Sequence, residues 1–236
     1  METSAFLALV RPVVDGDVVK VSRQLRVTPA LATMALPVGV SLPQATDVFF
    51  SEICHYMYGG DTALHMAAAA FSRPMAEVLV SHGADCRAKN RRGAEPLHYA
   101  SDANRPEPLA QAEVIEYLLS IGADPNAVDK SGVAPLHRAV RTRSIAAVRA
   151  LLNGGARSRQ RNKSGATPLH LAVQTTGRGG SGSEIVREQQ RASSGYYSNA
   201  AHGRRIRTGE VDRCIRLRRT SGFGPCSWNL NGRGHR

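Results

Sequence analysis

The six residues Thr62-Ala63-Leu64-His65-Met66-Ala67 return as Glu95-Pro96-Leu97-His98-Tyr99-Ala100, as Ala134-Pro135-Leu136-His137-Arg138-Ala139 and as Thr167-Pro168-Leu169-His170-Leu171-Ala172, at intervals of 33, 39 and 33. A second motif runs in step: Leu79-Val80-Ser81-His82-Gly83-Ala84-Asp85, Leu118-Leu119-Ser120-Ile121-Gly122-Ala123-Asp124 and Leu151-Leu152-Asn153-Gly154-Gly155-Ala156. The motif leucine and the glycine that follows are 19, 25 and 19 residues apart, so the middle unit carries six extra residues, which the Pro-rich Asp102 to Leu109 accommodates between its two helices. Self-similarity at a fixed period is the mark of stacked repeats.

Each position has a physical reason. Thr62 and Thr167 suit a helix N-cap, and Pro96, Pro135 and Pro168 suit its first turn, where the missing N–H has no partner to lose. Ala67, Ala100, Ala139 and Ala172 are small where a first helix must approach its neighbours, while Val78/Leu79, Tyr117/Leu118 and Ala150/Leu151 carry the apolar period of a second. Gly83, Gly122 and Gly155 fall where that helix ends in a residue of positive φ. Glu95 and Ala134 replace the capping Thr, at a cost of up to ~1 kcal/mol each if nothing compensates.

From about Tyr58 to Gln174 the chain resembles the ankyrin repeat, whose T-P-L-H-x-A signature and period of 33 it carries in four copies. The resemblance implies an all-α solenoid of stacked antiparallel helix pairs with short turns. It also implies that His65, His98, His137 and His170 hydrogen-bond the turn between repeats, and that the first helix and the following turn line a concave face. Protein–protein interaction is then the expected function, with no enzymatic activity and no cofactor.

Around this core, Phe6 to Leu25 reads as two short helices broken at Asp15-Gly16-Asp17, a degenerate repeat capping the stack. Asp47 to Tyr58 reads as an amphipathic helix burying Val48, Ile53 and Met57. The expected organisation is a capping region over 1–59, repeats over 60–191 with three complete and a fourth truncated, and an Arg/Gly/Ser-rich tail over 192–236. Glu184 to Arg191 is expected to begin the second helix of the fourth copy. The tail, without Lys or an apolar period, is expected to be disordered and to be either a native basic arm or a frame-shifted end, which would leave the outer face of the fourth repeat exposed and prone to association.

The formal charge of +12 is uneven, since residues 184–236 carry 11 Arg against 4 Asp/Glu. No basic n-region precedes the apolar Ala5 to Val10, Pro29 and Pro37 interrupt the apolar stretch from Val27 to Leu42, and the four cysteines lack disulfide or C-x-x-C spacing. A soluble protein of a reducing compartment, cytoplasmic and monomeric unless the fourth repeat is uncapped, is the expectation.

No catalytic, cofactor-binding or metal motif is present. Equivalent histidines of stacked helices lie about 8 to 10 Å apart, too far to share a zinc ion at ~2.0 to 2.1 Å from each nitrogen. Cys54 and His55 point about 100° apart on a helix, which does not make a nucleophile pair. The expected partner-binding residues are Arg138, Arg141, Arg157, Arg159 and Arg161 on the concave side. Two readings of that set stay open, a solvated basic face and a surface for an acidic partner. Another protein is the favoured partner; nucleic acid or another polyanion, bound through this set and the basic tail, is the alternative, and an unrecognised enzyme is the second.

Overall fold

The computed structural model of the chain describes residues 2–37, 49–53, 55–102 and 107–176. Helices α1 (Glu2–Asp15) and α2 (Val18–Val27), a 3-10 turn at Pro29–Ala32 and a hairpin of β1 (Phe49–Phe50) and β2 (His55–Tyr56) come first. They are followed by α3 (Ala63–Ala69), α4 (Arg73–Ser81), α5 (Pro96–Ala100), α6 (Pro108–Ser120), α7 (Pro135–Arg141), α8 (Ile145–Asn153) and α9 (Pro168–Thr176). The helices form two rows. In one, α1, α3, α5, α7 and α9 pack each on the next; in the other, α2, α4, α6 and α8 do the same. The fold is an all-α repeat stack, and the break at Asp15-Gly16-Asp17 lets α1 and α2 extend both rows at the N-terminal end.

The first row can be tight because it is built from small residues: Ala63, Ala67, Ala68, Ala69, Ala100 and Ala139 are all fully buried. Val114, Ile115, Leu118, Ala147 and Leu151 bring the second row onto the same core. Serines start two of its helices, α4 and α8, with the Ser72 hydroxyl accepting from the Met75 N–H at 3.4 Å and that of Ser144 from the Ala147 N–H at 3.2 Å. Ser144 also donates to Gln111 Oε1 at 2.6 Å, while Gln111 Nε2 donates to the Ala100 carbonyl at 2.8 Å, tying α5, α6 and the start of α8 together.

The first three repeats begin with the same bridge, whereas His170 of the fourth is exposed and its ring bonds, among the described residues, to Thr167 alone. His65 Nδ1 accepts the Thr62 N–H at 3.1 Å, and its Nε2 donates to the Ala94 carbonyl in the next turn at 3.1 Å. His98 joins Glu95 to Val133 in this way and His137 joins Ala134 to Ala166. The ring accepts the N–H of the cap residue whatever its side chain, so this part of the helix start is kept at Glu95 and Ala134.

The turns stack as directly as the helices. The Arg91 N–H donates to the Gly59 carbonyl at 2.8 Å, Lys130 to Arg92 at 2.8 Å and Lys163 to Ser131 at 3.1 Å. Gly132, at φ +73, lies so close to the next turn that a Cβ there would stand 2.8 Å from Lys163 N; Gly165, at φ +78, has no described atom within 4 Å. The fourth repeat differs in its helix too: Leu169 is 70% exposed, whereas Leu64, Leu97 and Leu136 of the same column are buried.

One expectation is corrected. Asp47 to Tyr58 is not a helix where it is described: Phe49 pairs with Tyr56 and Phe50 with His55 in antiparallel register, around a turn at 51–53. The Phe49 and Tyr56 rings lie 4.6 Å apart, and such a cross-strand aromatic pair favours strand over helix. Ile53 and Met57 are nevertheless buried. Val48, the candidate helix at 184–191 and the tail at 192–236 lie outside the described residues.

Two outcomes follow. Gly132→Ala and Gly165→Ala incur the same backbone strain, but only the first meets a neighbouring turn; it is expected to destabilise by about 1 to 3 kcal/mol more, and equal melting temperatures would contradict the stacking of the turns. Acid should also loosen the stack. Burial lowers the pKa of His65, His98 and His137; for His98 burial together with the Arg138 charge brings it to about 3. These folded-state values lie below the ordinary one near 6.5, so the neutral rings contribute stability that is complete above that pH and lost as the pH falls toward the folded value. The melting temperature is expected to drop from about pH 7 to pH 4, and less steeply in His98→Ala; parallel slopes would remove His98 as a cause.

Candidate binding surface and buried charge network

The five arginines expected to share one surface divide into two groups. Arg138 and Arg141 belong to α7, and Arg157, Arg159 and Arg161 to the loop between α8 and α9. Arg138 does not face solvent. It is 2% exposed, with Nη1 donating to Asp102 Oδ2 at 2.8 Å and Nη2 to Asp129 Oδ2 at 3.4 Å. Its column, Met66, Tyr99, Arg138 and Leu171, is the inward position after the motif histidine, so the guanidinium enters the core and needs carboxylates there. Asp129 is fixed by its own turn, Oδ1 accepting the Ser131 and Val133 N–H groups at 2.8 and 3.0 Å.

Arg141, with its side chain 29% exposed, reaches the same Asp102 at 3.6 Å. Burial pushes the Asp102 carboxyl up, but the charges of Arg138 and Arg141 outweigh it and the net pKa is lowered. The aspartate is ionised at neutral pH and holds both arginines.

Arg157, Arg159 and Arg161 remain exposed. Their loop is rigid at the backbone: Asn126 Oδ1 accepts the Arg157 N–H at 2.7 Å, and Asn126 Nδ2 donates to the Gly155 carbonyl at 3.1 Å. Arg161 Nη1 donates to the Gly165 carbonyl at 3.0 Å. No salt bridge involves Arg157 or Arg159 among the described residues, so these are charges held in place without counter-ions.

A second polar cluster escaped the motif reading. Asp61, fully buried, accepts the Tyr58 N–H at 2.6 Å, Asn90 Nδ2 at 2.9 Å and the Tyr99 hydroxyl at 2.9 and 2.8 Å to its two oxygens. Burial, and after it the Asp61 charge, raises the Tyr99 phenol well above its ordinary value, so it stays protonated and donates. His55 of β2 stacks on the Tyr99 ring at 4.6 Å and 3°, its pKa lowered by burial. The signal was present: Asp61 stands where the other copies have Ala94, Val133 and Ala166, and Tyr99 stands one repeat further on in the column of Met66. Among the described residues no group of three or more His, Cys, Asp or Glu side chains is arranged to hold a metal ion, and no helix is long and apolar enough to cross a membrane.

Removing Arg138 leaves two carboxylates facing each other in or near the core. Arg138→Met is expected to destabilise by on the order of 3 kcal/mol and Arg159→Met by no more than about 0.5 kcal/mol. Comparable urea midpoints for the two variants would place Arg138 at the surface after all.

The comparisons with known proteins agree with this architecture. No curated protein matches the chain. A family model described as ankyrin repeats (3 copies) matches residues 44–129 and again residues 109–188, together well over half of the 236 residues. A stack of helix pairs joined by histidine bridges and hydrogen-bonded turns, matched over that length, makes this chain a member of the ankyrin-repeat family.

Proposed function

We propose that the chain is a protein-binding module that engages its partner through the inner-helix face and the connecting loops and turns of the stack. Ankyrin repeats are generally protein–protein interaction modules. The observation that carries the reading for this chain is the state of its loops: their backbones are tied repeat to repeat, while Arg157 and Arg159 project without counter-charges. Such a loop backbone is preorganised, so a partner does not have to order it on binding. Arg161 belongs to this surface and Arg141 borders it; Arg138 supports it from within. The module acts by binding rather than by catalysis, as a monomer unless the fourth repeat is uncapped, in a reducing, cytoplasmic setting.

The test is capture followed by measurement. Proteins retained from lysate by the immobilised chain are purified and titrated against it and against the triple variant R157E/R159E/R161E, which keeps the buried network. At least one should bind the wild type directly, and charge reversal should weaken it by about tenfold, equivalent to about 1.4 kcal/mol, with unchanged helicity. If no captured protein binds the purified chain, the module reading fails; if one binds both forms equally, the arginine loop is not its surface.

A further inference from the structure

The turns place one basic residue at the same position of three consecutive repeats. Arg91, Lys130 and Lys163 each donate a backbone N–H to the preceding turn, at 2.8, 2.8 and 3.1 Å, so their Cα atoms are fixed in a row. The preceding glycines confirm how closely the rungs stack: a Cβ on Gly60, Gly93 or Gly132 would lie 2.9, 3.1 or 2.8 Å from the nitrogen of Arg91, Lys130 or Lys163. All three side chains are exposed, and none forms a salt bridge among the described residues. The fourth place in the row is Tyr58, whose ring is covered by the Arg92 guanidinium at 5.0 Å. Exposed acids in the three connecting loops are limited to Asp85 and Asp124, and one oxygen of each accepts a backbone N–H two residues on, of Arg87 and of Asn126, at 2.8 Å.

We propose that Arg91, Lys130 and Lys163 form a basic ladder that receives an extended acidic segment of a partner protein, with a carboxylate at every third residue. The inference rests on the protein-binding reading and names the chemistry of the partner. Stacked helical units repeat at about 10 Å, and one turn of a segment in the extended polyproline-II conformation, three residues at about 3.1 Å each, spans about the same length and returns every third side chain to the same face. The rungs and the carboxylates therefore keep register over several steps. Single-stranded nucleic acid fits less well: its binding sites combine a basic groove with aromatic platforms for the bases, whereas the large apolar side chains exposed among the described residues are Val, Leu and Ile.

The experiment uses the full chain and fluorescence anisotropy with three probes of equal charge: a synthetic peptide with Glu at every third position, a peptide of identical composition with the Glu residues clustered, and an oligothymidylate. Two triple variants change the net charge equally, R91E/K130E/K163E on the ladder and K20E/R23E/R26E on α2. The registered peptide should bind the wild type at least about tenfold more tightly than the clustered one, with an affinity that falls with salt. The ladder variant should lose that binding and the α2 variant should keep it. If the ladder variant melts early, K130Q/K163Q replaces it and should give a smaller loss in the same direction. Equal binding of the two peptides, equal loss in the two triple variants, or tighter binding of oligothymidylate that the ladder variant abolishes would each overturn the proposal. So would a purified native partner that binds the ladder variant as well as the wild type, and that result would leave the protein-binding reading intact.

Discussion

The stack depends on a neutral imidazole that makes two hydrogen bonds in opposite directions. In His65, His98 and His137, Nδ1 accepts the N–H that opens its own helix and Nε2 donates to a carbonyl of the next turn. That carbonyl is aimed because the same residue's N–H is held by a turn side chain: Ala94 by Asn90, Val133 by Asp129 and Ala166 by Asn162. Helix start, turn and neighbouring repeat are thus one hydrogen-bonded unit, and each unit is complete only when the next repeat is in place. This is the physical content of nearest-neighbour stability in repeat proteins. A protonated ring cannot accept at Nδ1, so the bridge requires the depressed pKa that burial supplies.

On this common frame the repeats are made unequal by polar residues in core columns. Asp61 of one unit meets Tyr99 of the next and Asn90 of the turn between them, and Arg138 meets Asp102 from the preceding repeat and Asp129 from its own turn. Exchanging two repeats would leave a carboxylate or a guanidinium buried without its partner, which costs more than the pairing gains. The order of the units is therefore written into the core, whereas an all-leucine column would accept any order. The six extra residues of the middle repeat belong to the same device, since Asp102, which holds both Arg138 and Arg141, sits where that segment begins.

The repeat frame was legible because its residues answer to backbone geometry: a proline at the helix start, a glycine at positive φ and a histidine at a fixed offset carry the same demand in every copy. Gly83, Gly122 and Gly155 have φ of +93, +97 and +89. The hairpin was not legible, because Phe49, Phe50, Ile53 and Met57 satisfy a helical spacing as well as a strand pair, and the choice is made by cross-strand contact between residues seven apart. Arg138 was misplaced for a related reason. An arginine on a short helix reads as a surface residue when taken alone; aligned with Met66, Tyr99 and Leu171 it occupies an inward column, and the only remedy is a pair of nearby carboxylates.

The division of labour within each turn explains why a binding surface can develop there without cost to the fold. The backbone N–H of Arg91, Lys130 and Lys163 belongs to the stack, and so do the glycines beside them, but the side chains contribute nothing to it among the described residues. Their chemistry can vary while the rungs stay in place. The inner helices leave less freedom: α3 is buried along its whole length, and the inward positions of α5 and α7 are committed to the tyrosine and arginine networks. Exposed charge without a counter-charge on a fixed backbone is found instead in the loops and turns, at Arg157, Arg159 and the ladder residues.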